Sequence, residues 1–235
     1  MIKLFKFGPL GDICDASPFC VKVESYLKLA GLAYESQCGA MNLRTAPKRK
    51  LPFIEDNGRI VADSSLIILY LKQTYGDQVD AHLTEVEKAI AHAFIKMIDE
   101  NLYWTLVHAR WKLAHNLAIL KQQFFNEIPF PINQLIAFKA HRDVMQALYM
   151  QGMGRHSDSE IVEIGVRDLH ALADFLSDKP YFFGDKPTTL DAAAYGILSQ
   201  LILDTTFTAP LFDKAKTYKN LVAFTERFHS SVFQK

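Results

Sequence analysis

The sequence predicts an α/β domain followed by an all-α domain, and three observations predict it. Strand and turn signals are confined to the first part of the chain, where they run β-α-β, an irregular stretch, then β-β-α. From about Asp80 onward the strand signals stop and only helix-period patterns occur. The 235 residues are enough for one large domain or two small ones with a substantial core. The expected boundaries are residues 1–76 for the α/β unit and 84–235 for the helical unit.

Ile2 to Phe7 reads as the first strand, with two lysines in its apolar stretch and no small-residue cleavage site that would mark a signal peptide. Gly8 to Ala16 carries Gly-Pro and Gly-Asp pairs and reads as a long loop. Ser17-Pro18 is a helix start, because serine accepts a backbone hydrogen bond as N-cap and proline at the first position lacks only an N–H that would be unpaired anyway. Phe19, Val23, Tyr26 or Leu27, and Ala30 recur at helical spacing, and Gly31 ends the helix. Leu32 to Ser36 follows as a strand parallel to the first, since the intervening helix gives a right-handed crossover. Asn42 to Lys50 is irregular and basic. Leu51-Pro52 precedes a strand at Phe53 to Glu55, and Asp56-Asn57-Gly58-Arg59 is a hairpin turn returning through Arg59 to Val61. Asp63-Ser64-Ser65 caps a helix that ends near Tyr75-Gly76.

In the second half, Glu85 to Leu117 is one long helical pattern, and Phe124 to Pro131 interrupts it with two prolines around Phe130. Ile132 to Met150, Ser159 to Leu176, Thr188 to Leu203 and Ala215 to Phe228 continue it, separated by breaks at Gly152 to Asp158 and Ser177 to Pro187. Five helices are therefore expected.

Composition narrows the function. Lys+Arg and Asp+Glu are equal in number, so no charge imbalance calls for nucleic acid or an anionic membrane. The longest apolar run, Leu66 to Leu71, is too short to span a bilayer. Three cysteines do not make a disulfide framework; a reducing compartment, the cytoplasm, is expected. The histidines show no His-Glu-x-x-His or Cys/His cluster, so no metal site is expected.

Four local features then occur in order: Ser17-Pro18-Phe19-Cys20 at the first helix, Leu51-Pro52 before the third strand, Asp63-Ser64 at the second helix, and Thr188-x-x-Asp191 after Gly184. Together with the element order they resemble the glutathione S-transferase superfamily, a thioredoxin-like domain followed by a helical one, over essentially the whole chain. The Ser-Pro-Phe-Cys stretch sits where thioredoxin relatives carry Cys-x-x-Cys, and Leu51-Pro52 looks like the superfamily's cis-proline position. The texture of residues 17–27, 50–54, 62–68, His156-Ser157, Glu160-Ile161 and 179–191 is similar to the failed-axon-connections (Fax) and metaxin-like branch. The resemblance implies glutathione as co-substrate, a small apolar electrophile as its acceptor, and a homodimer. The metaxin side of it, with proteins of the mitochondrial import machinery, implies instead a non-catalytic adaptor.

Each motif carries a chemistry and a plainer alternative. A free cysteine-like thiol with a pKa of about 8.5 is mostly protonated at neutral pH. A Ser17 hydroxyl donated to the glutathione sulfur beside a helix N-terminus lowers that value; otherwise Ser17 only caps its helix. Two pKa units correspond to about 2.7 kcal/mol, which one charge-assisted hydrogen bond and a helix terminus can supply. Cys20 is the rival catalytic residue, through a mixed disulfide in a thiol oxidoreductase, although the helical period turns it inward; Cys14 is a candidate disulfide partner for it. A cis Leu51-Pro52 would offer the Leu51 backbone to an extended tripeptide as an added strand does, the alternative being a trans proline opening an edge strand. Ser64 would take the γ-glutamyl carboxylate and Asp63 its ammonium, or the two are an ordinary cap. Lys50, or Lys48, would reach a ligand carboxylate or simply be solvated. Thr188 and Asp191 form a capping box with a folding role. Tyr103, Trp104, His108 and Trp111 fall within about two turns and would wall a second-substrate pocket or belong to the core.

Overall fold

The computed structural model describes residues 1–125 and 128–234. Its N-terminal domain is built on a four-stranded sheet of order β2-β1-β3-β4, with β1 at Ile2–Lys6, β2 at Tyr34–Cys38, β3 at Phe53–Asp56 and β4 at Arg59–Ala62. β1 and β2 are parallel; β1/β3 and β3/β4 are antiparallel. Crossover and hairpin follow the sequence reading, with Asn57 and Gly58 both at the positive φ the tight turn requires. β2 begins two residues later than its apolar pattern suggests. Gly31 turns left-handed (φ 65°) and the Leu32 N–H donates to the Leu27 carbonyl, so Leu32 belongs to the helix exit.

Helix α1 (Pro18–Leu29) is buried from Cys20 to Leu27 on every side. Val23, Tyr26 and Leu27 pack on Ile2, Leu4 and Ile54 of the sheet and on Ile67, Ile68 and Leu71 of α2 (Ser64–Tyr75). Its other side meets the helical domain. The contact is close because Gly196 lacks a side chain: a Cβ there would stand 2.6 Å from the Pro18 carbonyl oxygen.

The helical domain holds eight α-helices among the described residues where the pattern gave five. The long segment divides into α3 (Glu85–Met97), a π-turn (Ile98–Leu102), α4 (Tyr103–Trp111) and α5 (Ala114–Phe125). The interruption at Lys112–Leu113 has a local cause. The buried Asn116 side chain donates to the Ala109 and Thr208 carbonyls, competing with the helix ladder. The expected break at Phe124 to Pro131 contains residues 126–127, which lie outside the described residues; α6 (Ile132–Gln151) starts beyond it. Then come α7 (Asp158–Leu176), α8 (Thr189–Leu198) continuing into a second π-turn (Ser199–Leu203), α9 (Pro210–Ala215) and α10 (Lys219–Val232). The helix expected at Ala215 to Phe228 is α10, which starts four residues later, and α9 before it is an additional helix whose start signal is Pro210 at its first position. α8 is buried throughout and forms the axis of the domain core. No helix among the described residues is long and apolar enough to cross a membrane.

Candidate thiol site

The strand register brings the site together. Phe5 of β1, Phe53 of β3 and Ala62 of β4 lie side by side across the sheet. The exit of β1 toward Ser17, the entry of β3 after Leu51-Pro52, and the exit of β4 into Asp63-Ser64 therefore share one sheet edge. Leu51–Pro52 is cis. Leu51 precedes the β3 ladder, which starts at Phe53, so its N–H and C=O are not engaged by the sheet. Beneath this edge Cys20, Leu51, Phe53 and Ala62 pack in one buried cluster, bordered by Phe5 and Phe7; Phe5 and Phe53 stack at 4.2 Å.

Ser17 is the N-cap of α1 in extended conformation, half-buried, and its hydroxyl makes no bond to the helix backbone. Its own N–H is held instead: it donates to Asp15 Oδ1 (2.8 Å), while the Gly8 N–H donates to Asp15 Oδ2 (2.7 Å). Asp15 is fully buried; burial pushes its carboxyl up to about 6 against those two N–H groups. Cys20 is fully buried too, and burial followed by the Asp15 charge raises its thiol well above the ordinary value, offset in part by the Ser17 hydroxyl. A thiol so held is neither exposed nor ionised, which favours its inward, packing role. Cys14 is half-buried and pushed up to about 12 by burial; all three cysteines are free thiols.

At the second helix start, both Ser65 and Leu66 N–H groups donate to Asp63 Oδ1 (3.1 and 3.3 Å). The Ser64 N–H is not among those the cap engages, and Ser64 is buried while Asp63 is exposed. Asp63 adopts φ 92°, a region that disfavours side chains by ~1–3 kcal/mol and that is tolerated mainly at functional positions. Lys50 and Lys48 are exposed.

Several residues that fix this site escaped the sequence reading, and they come largely from the helical domain. The buried Arg110 guanidinium of α4 donates to the Ala16 carbonyl (3.0 Å), to Gln200 Oε1 (2.8 Å) and to Asp204 Oδ2 (2.9 Å). Gln200 in turn donates to the Asp15 carbonyl (3.0 Å). On the other flank Lys22 of α1 pairs with Asp99 on the first π-turn (2.6 Å) and donates to Ser65 of α2 (3.3 Å). Lys6 pairs with Glu24 (2.5 Å) and donates to the Cys14 carbonyl (3.3 Å). Charged residues inside otherwise apolar β1 and α1 were the available signal, because a buried charge needs a partner reached across elements.

The aromatic set divides. Tyr103 leans on Phe19 beside the α1 start (4.6 Å), whereas Trp104 and Trp111 pack with α6 and α7 inside the helical domain, and His108 turns toward Asp158 (2.9 Å). Asp191 accepts from Thr188 N–H (2.7 Å), Thr188 hydroxyl (2.6 Å) and Phe182 N–H (3.0 Å), the structural cap expected of it. Among the described residues no three His, Cys, Asp or Glu side chains are placed to hold a metal ion.

A parallel-to-antiparallel four-stranded sheet with two helix starts at one edge, docked on a helical domain, defines a glutathione-transferase-type fold. Residues 18–117 match the family model described as the glutathione S-transferase N-terminal domain, and residues 165–228 match the C-terminal domain model. The chain belongs to the glutathione S-transferase superfamily. It is 36% identical to Failed axon connections of Drosophila melanogaster over 99% of this chain, and spans 58% of that protein's length. It is also 36% identical to isoprene-epoxide glutathione S-transferase of Rhodococcus sp. (strain AD45), covering 86% of this chain and 87% of that one. Metaxin-2 of Homo sapiens is 26% identical over 90% of this chain and 81% of its own. The same fold is seen in the crystal structure of beta-etherase LigF from Sphingobium sp. strain SYK-6, with TM-score 0.66, 17% identity, and coverage of 97% and 95% of the two chains.

Proposed function

We propose that the protein binds glutathione and transfers its thiol to a small apolar electrophile, with Ser17 donating its hydroxyl to the sulfur. One observation carries the reading. The Ser17 hydroxyl makes no bond to the backbone of the helix it caps, and it lies at the same end of the sheet as Leu51 and Ser64. The α1 N-terminus and the hydroxyl then favour the thiolate together. Ser64 offers N–H and hydroxyl to the γ-glutamyl carboxylate, Asp63 faces its ammonium, and Lys50 a further carboxylate. The similarity to an isoprene-epoxide glutathione S-transferase supports an electrophile of epoxide type. Titration calorimetry at millimolar glutathione is expected to show binding. Replacing Ser17 with Ala is expected to lower the conjugation rate at pH 7 by roughly 20- to 30-fold, as the bound thiol returns toward its free pKa. Absence of binding removes the proposal.

A second reading, a docking protein without catalysis, is favoured by large exposed apolar side chains around the start of α6, where Phe130 is 75%, Leu135 67% and Phe138 66% exposed. It predicts no glutathione binding and a protein partner whose capture is lost in Leu135→Asp. For the transferase reading, a homodimer is part of the proposal; Ile60, Leu66 and Leu69 leave an apolar face on β4 and α2 for it. Sedimentation of the Leu69→Glu variant as a monomer is the expected outcome.

A further inference from the structure

Away from the thiol site, a cavity of about 330 Å³ opens between α4, the first turn of α7 and the start of α9. Its walls are mainly apolar, among them Ala109, Leu113, Ile161, Val162 and Leu211. It shares no lining residue with Ser17, Leu51, Pro52, Asp63 or Ser64. The space has a structural cause. At Gly165, α7 is pressed against its neighbours so tightly that a Cβ would lie 2.8 Å from Leu211 Cδ1 and 3.1 Å from Thr105 Oγ1. One turn earlier, from Asp158 to Val162, the helices stand apart.

The cavity is within the size range of sites that take small molecules, and at interior packing density it accommodates ~10–15 non-hydrogen atoms. Its polar groups define what the molecule carries. Thr105 already donates its hydroxyl to the Leu102 carbonyl (2.7 Å). His108, 5% exposed, bonds through Nε2 to Asp158 Oδ1 (2.9 Å). A carboxylate only accepts, so Nε2 holds the ring proton, and in the neutral ring Nδ1 is left as an acceptor. Among the described residues no protein group donates to it. The matching ligand group is a neutral hydroxyl. An anion would lose its hydration among apolar walls that hold no lysine or arginine to pair with it. A cation would gain little from the Asp158 carboxylate, because that side chain is 64% exposed to water.

We propose that this cavity is a second ligand site, which takes a small, mostly hydrocarbon alcohol or phenol and binds its hydroxyl at His108 independently of glutathione. The test uses the full chain and two probes of equal shape, 2-naphthol and 2-methylnaphthalene, followed by calorimetry and by the methyl resonances of Ile161, Val162 and Leu211. Expected are saturable binding of 2-naphthol with shifts in those methyls, about five- to tenfold weaker binding of the methyl analogue, and unchanged affinity in saturating glutathione. Val162→Trp, which fills the cavity from a half-buried position, is expected to abolish binding. His108→Phe, which removes the acceptor, is expected to make the two probes equal. Equal affinities in the unaltered chain, no binding of 2-naphthol at millimolar concentration, displacement by glutathione, or shifts at other methyls would each overturn the proposal. The methyl map decides the matter even if a variant fails to fold.

Discussion

Ser17 and Ser157 occupy the same position at two helix starts, both in extended backbone, yet their hydroxyls do different things. Ser157 is locked in a capping box. Its oxygen accepts the Glu160 N–H (3.3 Å), its proton goes to Glu160 Oε2 (2.8 Å), and Glu160 takes the Ser157 N–H in return (2.8 Å). Ser17 has proline at the next position and no acidic residue in the first turn of its helix, so no such box can form. Its backbone is fixed from outside, by Asp15. The comparison teaches that a cap which holds a helix and a cap which offers a hydroxyl to a ligand are distinguished by what the third residue of the helix supplies. Thr188 falls with Ser157, since Asp191 three residues on engages it.

The contrast can be broken at each cap in turn. The largest effect is expected for Asp191→Ala, which strands the buried Thr188 and Phe182 N–H groups; urea denaturation should register a loss of ~2–3 kcal/mol. Ser157→Ala, at an exposed box, should cost ~1 kcal/mol. Ser17→Ala should change stability by no more than ~0.5 kcal/mol, because no helix bond is lost, while depressing conjugation as proposed. A Ser17→Ala variant as unstable as Ser157→Ala would erase the distinction.

Acid sharpens it further. Burial lifts the Asp191 carboxyl to about 6, above its unfolded value, so the part of its contribution linked to its proton is full at low pH and is lost as pH rises through about 6, while the bonds to the Thr188 and Phe182 N–H groups remain. Glu160 is shifted the other way, lowered by the Ser157 N–H and hydroxyl, so its contribution is present at neutral pH and lost on acidification. Asp191→Ala should therefore cost more at pH 4 than at pH 7, and Ser157→Ala less. Denaturation midpoints of both variants at the two pH values check the opposite signs.

Much of this was readable in the chain. The element order of the N-terminal domain, the Asn57-Gly58 turn and the caps at Asp63 and Thr188 rest on local chemistry and pattern, and the gathering of Ser17, Leu51 and Ser64 rests on the family resemblance; Ser157, read as part of a break, proves to be a cap whose signal is Glu160 three residues on. What was not readable depends on departures from the 3.6-residue period. The π-turns at Ile98–Leu102 and Ser199–Leu203 carry Asp99 and Gln200, the residues that reach across to Lys22 and to the Asp15 carbonyl. Arg110 reads in sequence as an ordinary helix residue; only packing buries it against Asp204, where loss of either partner leaves an uncompensated charge. Asn116, likewise, breaks a helix that composition alone would continue.

The Arg110–Gln200–Asp204 clamp also orders events in time. A ribosome has made Ser17, Leu51 and Ser64 by residue 64, but the loop that carries Ser17 is tethered through carbonyls at 15 and 16 to side chains at 200 and 110. The nascent N-terminal unit thus emerges with its strands able to pair and Asp15 able to hold the Ser17 N–H, and its loop is tied to the helical domain only when the last seventh or so of the polypeptide arrives.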